Sequence, residues 1–241
     1  MSKKIKPICI IPARGGSKRL PGKNVREFCG YPLIAWTISA ARDSGCFMRI
    51  VVSTDCAKIA SIAESNGAEV PFLREDSISG DKASSVAVVL DAVDRLDCEG
   101  SSVVSMLQPT SPLRDAGDIA KAIELFSKST ADSLLSVCEF KVGQTWLLPM
   151  GKDGYLTMPM DLPSKEKILG GRSFYPNGAI YITSVGALKG SGRLVSGNVI
   201  PFTMPLWKSI DIDTLQEFRL AELSLTHFAS ERMNSMLGSG F

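Results

Sequence analysis

Blocks of apolar and polar residues alternate along the first 140 positions. Residues 8–11 form a short continuous apolar run, the pattern of a strand covered on both faces, and 49–53, 70–73, 102–107 and 133–138 are further short runs rich in apolar or β-branched side chains. Between them lie stretches with helical spacing. Residues 32–42 set Leu33, Ile34, Thr37, Ile38 and Ala41 on one face. Residues 57–66 end before Gly67, a plausible C-terminal cap. Residues 83–96 align Val86, Val89, Leu90 and Val93, and 116–127 form a fourth helix. Strands alternating with helices predict right-handed crossovers and an α/β fold whose mostly parallel sheet is covered on both sides.

The pattern breaks between about 140 and 176, where Pro149, Gly151, Gly154, Pro159, Pro163, Gly170 and Gly171 punctuate the chain. This stretch reads as an excursion with short hairpins, a lid or a dimerisation arm, inside one domain covering 1–241. Strand patterns resume at 178–183, 199–204 and 209–212. A closing helix runs from 215 to about 233, with Asp213-Thr214 able to cap its start.

Composition narrows the function classes. The 241 residues are 44% hydrophobic and 22% charged with net charge +2, so no global field points to nucleic acid or an anionic membrane. Six cysteines form no Cys-x-x-Cys pair and read as buried free thiols of a cytoplasmic protein. No apolar run approaches membrane-spanning length. The single histidine, His227, argues against a histidine-based triad or a zinc site.

In an open parallel sheet, ligands bind beyond the carboxyl ends of the strands. After the first strand comes a loop with Gly15, Gly16, Gly22 and the cations Arg14, Lys18, Arg19 and Lys23. Glycines let backbone N–H groups approach an anion and the cations neutralise it, so the loop predicts a phosphate site; a basic surface loop is the alternative. It is neither a Walker A motif nor a Gly-x-Gly-x-x-Gly loop. After the second strand stands Ser53-Thr54-Asp55, after the third Arg74-Glu75-Asp76, and after the fourth Gln108-Pro-Thr-Ser-Pro-Leu-Arg114. This last, proline-stiffened loop could read a nucleobase edge, or Thr110 and Ser111 could simply cap a turn. Asp211 and Asp213, two apart in a strand-like segment, would face one side and could hold Mg²⁺; alternatively Asp213 only caps the closing helix. Phosphoryl-group transfer is the chemistry that fits, since it needs positioned cations and a metal more than a covalent nucleophile.

The stretch Pro12-Ala-Arg-Gly-Gly-Ser-Lys-Arg-Leu-Pro-Gly-Lys-Asn24 resembles the N-terminal signature of the acylneuraminate cytidylyltransferases, the CMP-sialic acid synthetases. Val51-Val-Ser-Thr-Asp55, Gly67-Ala-Glu-Val-Pro-Phe-Leu-Arg74, Leu107-Gln-Pro-Thr-Ser-Pro-Leu-Arg114, Tyr175-Pro-Asn-Gly-Ala-Ile-Tyr-Ile182 and Ser209-Ile-Asp-Ile-Asp213 match in the same order. Related ketodeoxyoctonate enzymes have a different first loop, and Gly15-Gly16-Ser17-Lys18 argues against them.

The resemblance implies a Rossmann-like nucleotidyltransferase, a three-layer sandwich with a small dimerisation excursion at 140–176. It implies transfer of CMP from CTP to the anomeric hydroxyl of N-acetylneuraminic acid or a close nonulosonic acid, with release of pyrophosphate, by a homodimer that binds neither nucleic acid nor membrane. Arg14, Lys23, Asp211 and Asp213 would be catalytic. Ala13, Arg14, Gly15, Gly16, Ser17, Lys23, Asn24 and Arg74, with Ser84 or Ser85, would bind the nucleotide. Gln108, Thr110, Ser111, Arg172 and Asn177 would serve the sugar side, and Asp211 and Asp213 would hold Mg²⁺, with Mn²⁺ as a substitute. The chain departs from its relatives at Phe140-Lys-Val-Gly-Gln-Thr-Trp146, at Tyr175 where relatives often carry Arg, and at Met160-Asp-Leu-Pro163, all on the sugar side or the arm. Legionaminic or pseudaminic acid is therefore a rival substrate. A nucleotide-binding module without turnover and a transferase using Asp-x-Asp for a nucleotide-sugar are rivals of other kinds.

Overall fold

The structure, a computed structural model, describes residues 6–80, 84–100, 102–140 and 173–229. Most of the 140–176 excursion, Arg172 and the end of the expected closing helix lie outside them. In chain order the elements are β1 (Ile8–Pro12), the short hairpin β2 (Glu27–Phe28) and β3 (Tyr31–Pro32), α1 (Leu33–Asp43), β4 (Arg49–Ser53), α2 (Ala57–Ser65), α3 (Ser85–Arg95), β5 (Val103–Met106), α4 (Ala116–Ser127), β6 (Ser133–Phe140), β7 (Ser173–Ser184), α5 (Val185–Ser191), β8 (Val199–Met204) and α6 (Leu215–Phe228).

The main sheet has strand order β4-β1-β5-β7-β6-β8. β1 pairs in parallel with β4 and β5, and β6 with β8; only β7 runs antiparallel to its two neighbours. Alternation along β1 explains the layers. Cys9 and Ile11 point into a core shared with α1, α2 and α4, while Ile8 and Ile10 point into one shared with α3 and α5. This is the predicted α/β sandwich.

A third cluster supports the carboxyl ends of the strands. Phe28, Leu33, Trp36, Leu20, Leu113, Ile212, Phe218 and Leu225 pack α6 against the hairpin and the start of α1. Phe28 meets Trp36 and Phe218 edge-on at 5.8 and 5.3 Å, and Trp36 Nε1 donates to Phe28 O at 2.8 Å, so the buried indole keeps its hydrogen bond. Each such fully buried aromatic contributes about 1.5–3 kcal/mol by burial alone.

Three expectations are corrected. Residues 70–73 are not a strand: they join the sheet only through isolated bridges, Val51 with Glu69 and Thr54 with Leu73, because Pro71 between them has no N–H to donate. Residues 209–212 are not a strand: Ser209 ends the short 3-10 turn Leu206–Lys208, and Ile212 donates its N–H to Thr110 O at 2.8 Å, outside the sheet. Residues 173–176 belong to β7, paired with 137–140, so the excursion seen from its described flanks leaves after Phe140 and returns at Ser173. All six cysteines are free thiols, but only Cys9 and Cys138 are fully buried. Among the described residues no helix is long and apolar enough to cross a membrane.

Candidate functional site

A cleft of about 350 Å³ opens at the carboxyl ends of β1 and β5. One wall is the basic loop, with Arg14, Ser17, Lys18, Arg19 and Lys23. Arg74 and Ser85 face it, Gln108 and Thr110 come from the loop after β5, and Asp211 and Asp213 complete the lining. Five cations thus surround the space with two carboxylates among them, a field suited to a polyanion.

The loop has its own architecture. The β1 ladder runs out at Ala13, whose N–H donates to Ser53 O at 2.9 Å. The chain then leaves the sheet and is drawn back by Asn24, a buried amide whose Nδ2 donates to Arg14 O at 2.9 Å. Gly22 takes φ +66°, a left-handed turn that suits glycine, and opens a single 3-10 turn at Lys23–Val25. Ala13, Gly15 and Gly16 do not line the cleft. Gly15 N–H donates instead to Asp55 Oδ1 at 2.8 Å, and Ser17 N–H to Gly15 O at 3.1 Å. The loop therefore presents its cations and Ser17 to the cleft, while its Gly15 and Ser17 amides hold its shape.

The acidic pair is set by the third core cluster. Ile212 is fully buried, and both flanking carboxylates turn to the cleft. Lys23 Nζ donates to Ile212 O at 2.6 Å and to Asp213 Oδ1 at 3.0 Å, and Arg19 reaches Asp213 Oδ2 at 2.8 Å. Asp213 is not the helix cap. Thr214 is, in a capping box with Glu217 that also accepts the Asp213 N–H at 2.8 Å. Loss of solvation raises the Asp211 carboxyl pKa, and Asp213 and Glu217 add to the rise against the Thr110 hydroxyl and Lys23. Two carboxylates on one cleft, the pKa of the first raised because its neighbouring cation does not outweigh its loss of solvation, are a donor set suited to a hard cation.

The residues expected to bind the nucleotide separate. Arg74 is nearly wholly buried, its N–H donates to Thr54 O at 2.8 Å, and burial lowers its pKa despite Asp55 nearby. Of the two serines left open by the sequence, Ser85 lines the cleft, whereas Ser84 caps α3 by accepting the Ala87 N–H at 3.1 Å.

Of the residues expected on the sugar side, Gln108 and Thr110 line the cleft and Ser111 and Asn177 do not. Ser111 Oγ donates to Asn177 O at 3.4 Å. The Asn177 amide is enclosed: Oδ1 accepts from Ser136 Oγ at 2.6 Å and Ala179 N–H at 3.2 Å, and Nδ2 donates to Ser209 Oγ at 2.9 Å. Neither hydroxyl of the Gln108–Arg114 loop caps α4, a task done by Asp115 with Asp118. Arg114, at the end of that loop, is buried and donates to Ala179 O and Thr37 Oγ1 at 2.8 and 2.7 Å. The sequence marks Lys18 and Arg19 only as cations of the phosphate loop, and does not mark Asp55 or Gly178 as site residues. The first two share the basic loop; Asp55 stands in a flagged turn but its partner is 40 positions away.

A family model described as cytidylyltransferase matches residues 8–146. The chain belongs to the cytidylyltransferase family. It is 37% identical over 220 residues to the CMP-N,N′-diacetyllegionaminic acid synthase of Legionella pneumophila, covering 89% of this chain and 94% of that protein. It is 33% identical to the pseudaminic acid cytidylyltransferase of Campylobacter jejuni, covering 91% and 96%. The N-acylneuraminate cytidylyltransferase of Streptococcus agalactiae is also 33% identical, but the match spans 52% of its length. In fold, the chain is similar to a CMP:2-keto-3-deoxy-manno-octonic acid synthetase solved with CTP, with TM-score 0.70 at 16% identity, covering 92% of this chain and 98% of that one. This cytidylyltransferase is therefore a nucleotidyltransferase enzyme, and the cleft lies where its fold class binds ligands.

Proposed function

We propose that this cytidylyltransferase transfers CMP from CTP to the anomeric hydroxyl of a nonulosonic acid: the hydroxyl oxygen bonds to the α-phosphorus and pyrophosphate leaves. The observation that carries the reading is the convergence, on one cleft, of the loop cations, Arg74 and the Asp211–Asp213 pair. A triphosphate bears about four charges, and the cations offset them and the charge that grows on the leaving pyrophosphate; losing one such preorganised group costs on the order of 10²–10³ in rate. Arg14 and Lys23 grip the triphosphate, Arg74 and Ser85 hold the nucleotide, and Gln108 and Thr110 face the sugar. Asp211 and Asp213 would hold Mg²⁺, which supplies charge neutralisation at the phosphates.

For the sugar, legionaminic or pseudaminic acid is favoured over the N-acetylneuraminic acid first expected. The relatives matched over nearly their whole length are named for those sugars, and support this order. A homodimer and a cytoplasmic location complete the proposal.

The test is pyrophosphate release with each of the four nucleoside triphosphates against a panel of nonulosonic acids, with and without Mg²⁺. Release with CTP and N,N′-diacetyllegionaminic or pseudaminic acid is expected. No release with CTP and any nonulosonic acid overturns the reading, and release with N-acetylneuraminic acid alone reverses the sugar order.

A further inference from the structure

Asp55 touches both halves of the nucleotide wall with one oxygen. Its Oδ1 accepts the Gly15 N–H at 2.8 Å and stands 3.9 Å from Arg74 Nη2. The turn carrying it is fixed at both ends. Thr54 O accepts the Arg74 N–H at 2.8 Å, and Thr54 Oγ1 accepts the Cys56 N–H at 3.1 Å. The loop also sits hard against this turn, since a Cβ at Gly15 would come 3.0 Å from Cys56 Cβ. The Arg74 side chain is only 3% exposed and its Nε has no hydrogen-bond partner among the described residues. A buried guanidinium in this state keeps donors for an incoming group, while a carboxylate at 3.9 Å offsets its charge without locking it.

We propose that Asp55 is a positioning residue of the nucleotide site, holding the basic loop through Gly15 N–H and steadying Arg74, and that it touches neither substrate. The proposal rests on the cleft being the CTP site. Its two contacts separate by substitution. Asp55→Asn keeps an oxygen for the Gly15 N–H and removes the charge; Asp55→Ala removes both.

The experiment measures CTP binding by calorimetry, KM for CTP and for the sugar, and hydrogen exchange of the peptide spanning residues 13–18 in the ligand-free protein. In Asp55→Ala, the CTP Kd and KM rise about tenfold, the loop amides exchange faster, and the sugar KM stays within about twofold, the pattern of one lost buried hydrogen bond with its charge. Asp55→Asn rescues the loop exchange and most of the CTP affinity. Unchanged CTP affinity in Asp55→Ala overturns the proposal. So does an equal loss for CTP and sugar with a lowered melting temperature, which marks a general structural role. If the wild-type protein binds no CTP, the functional reading falls, while the exchange measurement still decides whether Asp55 holds the loop.

Discussion

Lys23 donates to Asp213 Oδ1 at 3.0 Å across 190 positions of the chain, so the basic loop and the acidic pair are joined before any ligand arrives. Asp213 also receives Arg19, whose side chain is 70% exposed. The exposed Arg19 pair adds less than about 1 kcal/mol to stability, the half-buried Lys23 keeps its bond to Ile212 O and can donate to an amide oxygen at 213, and Thr214 rather than Asp213 caps α6. Asp213→Asn is therefore expected to leave the unfolding midpoint nearly unchanged while lowering Mg²⁺-dependent turnover on the order of 10²–10³. Denaturant melts beside steady-state pyrophosphate assays check this; near-normal turnover refutes the metal role.

Asp211 offers a trade between stability and function. Loss of solvation raises its carboxyl pKa in the fold, so the folded state holds a proton that the unfolded chain has already released. Stability falls as pH rises through the window from the unfolded value, about 3.9, to the raised one. With metal chelated, Asp211→Asn is expected to melt above wild type at pH 7 and to lose that advantage near pH 3, while turnover is abolished. A variant less stable than wild type at pH 7 contradicts the assignment.

The α6 cap has the opposite sign. Partial burial raises the Glu217 pKa, but hydrogen bonds from the Asp213 N–H and from the Thr214 hydroxyl and N–H outweigh it and hold it low. Its stabilising effect is complete above the unfolded carboxylate value, about 4.3, and fades as pH drops through the depressed folded value. Glu217→Gln should therefore flatten the acid limb of the stability profile, and Thr214→Ala should cost about 0.5–2 kcal/mol at pH 7. Urea melts of both variants between pH 3 and pH 7 measure it; an unchanged acid limb in Glu217→Gln contradicts the cap.

Gly178 packs against Gln108, Asp211 and Ser111. Its φ is +76°, and a Cβ there would stand 2.8 Å from Gln108 Oε1 and 3.6 Å from Asp211 Oδ2. Gly178→Ala is expected to push Gln108 out of place and raise the sugar KM more than the CTP KM. Asn177→Ala instead strips partners from Ser136 and Ser209 and should cost about 2–3 kcal/mol of stability. An Asn177→Ala variant that melts normally but loses sugar affinity returns Asn177 to direct substrate contact.

Periodicity made most of the fold legible. Residues 116–127 and 199–204 are α4 and β8 to the residue, because an amphipathic helix and a β-branched run are local signals. The 70–73 segment failed because the apolar pattern outweighs Pro71 in the expectation, although the chain itself displays that residue's missing N–H, and 173–176 failed because the ladder partners of β7 lie on β6, more than thirty residues away. In the site, the clustered charge of residues 14–23 was visible in the chain. The burial of Arg114 and the enclosure of Asn177 were not, since each depends on groups 65 and 41 positions distant, Ala179 and Ser136.

By itself the sequence determined the α/β layering, the basic loop, the acidic pair and the family, because these rest on local spacing and on ordered motifs. The tertiary structure decided which of those groups meet. It turned the Gly15 amide onto Asp55 instead of the cleft, gave the α6 cap to Thr214 so that Asp213 faces Lys23, and closed the Asn177 amide inside the protein. A hydrogen bond is satisfied by whatever donor or acceptor the fold brings within about 3 Å, and spacing along the chain does not carry that information.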